Sequence, residues 1–122
     1  YTHAYRAPVG VTLFREGSKD KYLAFIVKGK IKILKEFGFS KEKHIATARP
    51  GSCLGEISIV DDFPHSATAK VVEQAEIIIL TKRNLLRITE ESAALGIQIL
   101  WRLAWQLSAR LRKTSGALAE HL

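Results

Sequence analysis

The chain has 122 residues, 19 of them basic and 12 acidic, for a formal charge of +7 and a pI near 9.8, and it carries one cysteine, Cys53. That length is one domain's worth with room for a real core, and the ordinary balance of apolar and charged residues excludes disordered and collagen-like classes. A single cysteine excludes an internal disulfide scaffold and favours a reducing, cytoplasmic setting. No apolar run nears the roughly 20 residues that a membrane-spanning helix needs.

In chain order, the first two-thirds reads as short strands separated by turn signals. Val11–Phe14 is β-rich and is stopped by Glu16-Gly17-Ser18. Tyr22–Lys28 and Ile31–Lys35 follow, divided at Gly29; Phe37–Ser40 reads as a hairpin tip, returning through His44–Ala48 to the turn pair Pro50-Gly51. Val71-Val72 and Ile77–Leu80 read as two further strands with a polar turn at Glu73–Glu76. Such spacing predicts a mainly β fold of jelly-roll or β-roll type. Lys28, Lys30 and Lys32 alternate with apolar residues, which places them on one strand face, and a solvated face explains them better than a nucleic-acid surface. The charge is in any case local: +7 over residues 1–50, −3 over 51–91 and +3 over 92–122.

The last third is helical. Thr81 is a plausible N-cap for a short helix over Lys82–Ile88, and one long helix runs from about Ser92 to Leu118. Leu100, Ala104, Leu107, Leu111, Thr114 and Leu118 alternate by four and three, the spacing of a two-stranded seam, so a homodimer through this helix is expected. Trp101 and Trp105 lie on a neighbouring stripe and are expected to pack the helix onto the β domain. The division is then 1–91 for the β-roll and 92–122 for the dimer helix. Arg102, Arg110, Arg112 and Lys113 read as a solvated face.

Between the strands lies the segment Gly51–Ala69. Gly55 removes a side chain where a backbone must approach something closely, and Glu56–Val60 can form one helical turn whose N–H groups meet an anion. Ser66 and the N–H of Ala67 can complete the cradle; an ordinary surface turn explains the same residues about as well.

Several ordered motifs carry a resemblance: 10–17 (GVTLFREG), 26–33 (IVKGKIKI), Pro50-Gly51, Gly55-Glu56-Ile57-Ser58 and Ser66-Ala67-Thr68-Ala69. Together they resemble a cyclic nucleotide-binding domain of the bacterial catabolite-activator type of transcription regulators, from about Val9 to Leu118. The resemblance implies a β-roll, a phosphate-binding cassette over 51–69 and a long helix forming a two-fold dimer. It implies a cyclic purine nucleotide as ligand, cyclic AMP first and cyclic GMP second, with no metal or other cofactor. The N–H groups of Gly55, Ile57 and Ser58, with Ser66 and Ala67, would hold the cyclic phosphate. Glu56 would take the ribose 2′-hydroxyl, and Thr114 with Ser115 of the partner subunit would read the purine.

Two departures stand out. Where the family's cassette has an arginine before the Ser-Ala pair, this chain has His65, which cannot reproduce a guanidinium fork. Losing that charged contact costs about 1.5–3 kcal/mol. His65 is nonetheless expected among the ligand-binding residues: a bound anion raises its pKa and partly rescues binding below about pH 6.5. The second departure is that no helix-turn-helix follows the long helix up to Leu122, so DNA binding is expected only through a domain outside this sequence, which reads as the sensor part of a longer protein.

An enzyme is not expected. A metal-binding cupin needs a close pair of histidines, and His3, His44, His65 and His121 have no such spacing. Cys53 reads as buried and inert. The rival reading is a non-binding scaffold that only supports a dimer, or a pocket for another small anion.

Overall fold

Two long strands organise the β part. The computed structural model describes residues 1–36, 41–61 and 63–121, and for 114–121 the helical backbone alone. Strand β3 runs unbroken over Tyr22–Glu36 and β6 over Thr68–Thr81, and they pair antiparallel along most of their lengths. Around them are β1 (His3–Ala7), β2 (Thr12–Phe14), β4 (Glu42–Ala48) and β5 (Cys53–Leu54). The sheet order is β1-β6-β3-β4, with β2 also on β6 and β5 on β3, all antiparallel. This is the β-roll of the expectation, followed by helices.

The expected break of β3 at Gly29 and the polar turn at Glu73–Glu76 are both corrected. Each is an irregular stretch inside a continuous strand, where the β3–β6 register slips on either side of Gly29. Residues that read as a turn are the solvent side of that stretch: Lys30 pairs with Glu73 at 3.5 Å and Arg6 with Glu76 at 3.8 Å. Ala75, between them, is fully buried. The slip also interrupts the period of two through Lys28, Lys30 and Lys32. Their face is dressed by ion pairs, Lys70 with Glu42 among them at 3.5 Å.

The core lies along the inner faces of these strands: Phe14, Ala24, Ile26, Ile31, Leu54, Ala69, Val71 and Ile77 form one cluster. Full burial of a side chain such as Ile31 or Val71 contributes about 1.5–3 kcal/mol each. The Pro50-Gly51 turn forms as expected, closed by Ser52 N–H to the Arg49 carbonyl at 3.0 Å. The hairpin tip at 37–40 lies outside the described residues.

Tyr22 ties β3 to β2, its hydroxyl donating to the Leu13 carbonyl. Burial, helped by the charge of Asp20, pushes its pKa up to about 12. An unfolded tyrosine ionises near 10, so the unfolded state releases its proton first and stability falls as pH rises above 10. A tyrosinate absorbance titration against Tyr22→Phe should therefore assign to Tyr22 an ionisation near pH 12; one near pH 10 would contradict the burial.

Helix α1 covers Glu56–Asp61, α2 Lys82–Glu91 and α3 Ala93–His121. Thr81 caps α2 as expected, its Oγ1 accepting from the Asn84 N–H at 3.1 Å. The chain forms two compact units, Tyr1–Asn84 and Leu85–Leu122. In the second, Gly96 allows α3 to lie close to α2, where an added Cβ would stand 2.9 Å from the Thr89 methyl. Leu103 is buried, whereas Leu100 and Leu111 of the expected seam are 44% and 67% exposed in the single chain. Trp101 and Trp105, expected to be covered, are 76% and 67% exposed. Among the described residues no helix is long and apolar enough to cross a membrane.

Candidate functional site

The cassette begins where β5 ends. Leu54 and Cys53 pair with Ala24 and Phe25 of β3, and both are buried, which fixes where Gly55 stands. Gly55 has φ +83°, and a Cβ there would lie 2.5 Å from the Tyr22 carbonyl oxygen and 3.2 Å from His65 Cε1. The close approach that Gly55 permits is therefore to its own chain, the start of β3.

From Gly55 the chain turns directly into α1. Glu56, in its first turn, is 1% exposed, as deeply buried as the core. Burying a carboxylate costs heavily unless polar groups meet it. Ser58 is also buried, and its hydroxyl donates to the Gly55 carbonyl at 2.8 Å, locking the turn. Ile57 points outward at 42% exposure, while Ile59 is buried and anchors the helix.

The second arm, residues 63–68, is laced to the loop between β2 and β3 and to the end of β3. Gly17 N–H donates to the His65 carbonyl and His65 N–H to the Ser18 carbonyl, both at 2.9 Å. Glu16 N–H donates to Thr68 Oγ1 at 2.9 Å. Lys35 Nζ donates to the Ser66 carbonyl at 2.6 Å and pairs with Glu16 Oε1 at 2.8 Å. The Lys35 bond, aided by the Glu36 N–H, holds the Glu16 carboxyl below its ordinary pKa. Ser66 is exposed and Ala67 is buried at 9%.

His65 is the main correction. Its ring is 4% exposed, stacked on Phe14 with centroids 4.1 Å apart and planes at 16°, and tilted against Tyr22 at 5.5 Å. Nε2 lies 2.6 Å from the Asp20 carbonyl. Burial, with the nearby Lys21 charge, pushes the pKa below 6.5 against the opposing pull of Asp20. The expected strengthening of anion binding by a protonated His65 thus loses its premise: the ring is turned into the core, where burial disfavours its charged form.

Thr114 and Ser115 belong to α3, but their side chains lie outside the described residues, as does that of Leu118. Sequence reasoning missed Glu16, Lys35 and Thr68. The signal for Lys35 was available, since it breaks the alternation of the preceding lysines.

A β-roll with a buried Glu directly after a left-handed Gly, followed by a laced Ser-Ala arm, defines a class. The chain belongs to the cyclic nucleotide-binding domain family, whose model matches residues 6–92. It is 27% identical over 106 residues to the cyclic AMP receptor protein of Thermus thermophilus, covering 87% of this chain and 47% of that protein. It is 28% identical over 113 residues to the CRP-like cAMP-activated global transcriptional regulator of Mycobacterium tuberculosis, covering 93% and 49%. It thus spans about half the length of these relatives. Among solved structures, a cyclic nucleotide-binding domain from Methylobacillus flagellatus matches with a TM-score of 0.87 at 29% identity, covering 93% of this chain and 64% of that one. The catabolite activator protein of Thermus thermophilus matches at 0.81 and 26%, covering 96% and 53%.

Proposed function

We propose that this chain is the ligand-sensing module of a cytoplasmic transcription regulator, binding a cyclic purine nucleotide, cyclic AMP in preference to cyclic GMP. The observation that carries the reading is the buried Glu56 next to Gly55, inside the stretch matched by the family model. In this reading the backbone N–H groups of Gly55, Ile57 and Ser58 together with Ser66 and Ala67 hold the cyclic phosphate. Glu56 accepts from the ribose 2′-hydroxyl, while Thr114 and Ser115 of the partner subunit meet the purine. The exposed Leu100 and Leu111 of α3 supply the homodimer seam, and DNA is contacted only through a domain beyond this sequence. No reaction is assigned to the module.

Ligand bound at the cassette shifts the output only if it binds one arrangement of α3 better than another. The chemical division of labour is plain: hydrogen-bond donors for the phosphate, one buried acceptor for the sugar. Isothermal titration with cyclic AMP should give saturable heat near one ligand per protomer. Ser66→Ala should weaken it by roughly tenfold, as expected for one hydrogen bond to a charged group, and Glu56→Gln should weaken it comparably. Absence of heat and of thermal stabilisation at millimolar nucleotide, with the protein folded, would sink the reading.

The inward turn of His65 favours one second reading, a dimer scaffold that binds no nucleotide, because it removes from the phosphate the cation that the family's arginine provides. That reading expects a dimer by sedimentation and no nucleotide-dependent shift in melting temperature.

A further inference from the structure

A histidine in place of an arginine is naturally read as a weakened ligand contact, yet its surroundings describe a different device. Two segments remote in sequence, the loop at 15–21 and the arm at 63–68, meet along a row of hydrogen bonds. Gly17 and Ser18 exchange backbone bonds with His65, Glu16 N–H reaches Thr68 Oγ1, and Lys21 Nζ donates to the Phe63 carbonyl. Bonds of this kind at a protein's surface open readily unless something buried holds them together. The imidazole is the buried element in the middle of the row, fixed by its stack on Phe14, its contact with Tyr22 and its bond to the Asp20 carbonyl.

The chemistry of that bond fixes the proton. A carbonyl only accepts, so Nε2 carries the hydrogen, and the neutral Nε2–H tautomer satisfies the site. An arginine brings five donors and a permanent charge, which two aromatic rings and one carbonyl cannot satisfy. Gly55 lies beside the same ring, where an added Cβ would stand 3.2 Å from Cε1.

We propose that His65 is a positioning residue: its ring clamps the 15–21 loop onto the 63–68 arm and sets the backbone of Ser66 and Ala67 without meeting the ligand. The clamp stands by itself, and its effect on affinity rests on the nucleotide-binding reading above. The titratable groups that bear on the ring are Asp20 and Lys21 on the loop and Tyr22 on β3; Phe14 on β2 brings none. Burial lowers the pKa of the clamped ring, so an opened arm takes up a proton more readily than a closed one. Opening is favoured as pH falls through about 6.5 toward the lower value of the clamped state.

The test is amide hydrogen exchange by NMR on the full chain, corrected for intrinsic rates. It compares the wild type with His65→Gln, which keeps a donor but loses the stacking ring, and His65→Phe, which keeps the ring but loses the bond. The Gly17 and His65-position amides should exchange at least tenfold faster in His65→Gln, with Ala24 and Ile77 in the β3 and β6 ladders unchanged. In the wild type the same two amides should lose protection between pH 7.5 and 5.5, whereas in His65→Phe they should show no such trend. Unchanged exchange in His65→Gln would overturn the clamp. So would an equal loss at Ala24 and Ile77, the mark of a residue that merely fills the core.

Cyclic AMP titration of the same proteins supplies the functional readout. Affinity should weaken several-fold from pH 7.5 to 5.5 in the wild type and stay flat in His65→Phe. Affinity that strengthens toward acid would place a charged ring on the phosphate and overturn the proposal. No binding at either pH, with the two amides showing the expected exchange, would sink the nucleotide reading and leave the clamp supported.

Discussion

Gly55→Ala should destabilise the protein by about 3 kcal/mol or more and lower its melting temperature by more than about 10 °C. Two independent costs combine. The backbone is at φ +83°, where an L side chain costs about 1 kcal/mol or more, and the new methyl would sit 2.5 Å from the Tyr22 carbonyl oxygen. That obstacle is backbone inside the β3–β6 ladder, so it cannot step aside as a flexible side chain would. Gly10→Ala is the control: its φ is +92°, but an added Cβ has nothing within 4 Å, so it should cost about 1 kcal/mol only. The difference between the two melting curves, followed by circular dichroism, isolates the contact term. Equal losses would mean that Gly55 does not lie against Tyr22. The proposed nucleotide site should fail together with stability, because displacing Gly55 also moves Glu56, which follows it in the chain.

Gly29→Ala should be more severe, about 4 kcal/mol or more, enough to leave little cooperative folding in a domain whose total stability is of the order of 5–15 kcal/mol. Here φ is +95° and the added Cβ would meet Gln74 O at 2.5 Å, Ala75 Cα at 2.7 Å and Ala75 Cβ at 2.9 Å. Three obstacles on one facing strand cannot be avoided by a rotamer change. Relief requires β3 to part from β6 at the point where their register already slips, and those two strands carry the core. A denaturant titration measures the effect. A midpoint within a tenth of the wild-type value would contradict the close crossing of the strands.

Both glycines show what the sequence could and could not disclose. Gly55 was recognised as a site of close approach, but a glycine is silent about its neighbour, and the neighbour is Tyr22. Gly29 read as a break, because a glycine and a run of polar residues at 73–76 look alike whether a chain turns or bulges. Only the pairing of Lys30 with Glu73 and of Arg6 with Glu76 distinguishes them, and pairing between remote strands leaves no local pattern. Strand β1 escaped for a related reason: four of its five residues are exposed, so it has no inward face to generate alternation. The cassette, the helical turn at Glu56, the Thr81 cap and the two helices were legible because caps, turns and periodicity are local. The direction of the His65 ring was not, since it depends on Phe14 and Tyr22, both more than forty residues away in sequence.

The placement of Trp101 and Trp105 has an experimental use. Both of the chain's indoles stand exposed on α3, and the unit at 1–84 contains none. Emission from these rings therefore reports on what surrounds the long helix. Nucleotide added to the protein can alter that signal only if an event at the cassette reaches α3 or changes its neighbours. Fluorescence without any introduced label thus complements calorimetry: heat with constant emission would mark a filled pocket that leaves the surroundings of both indoles unchanged.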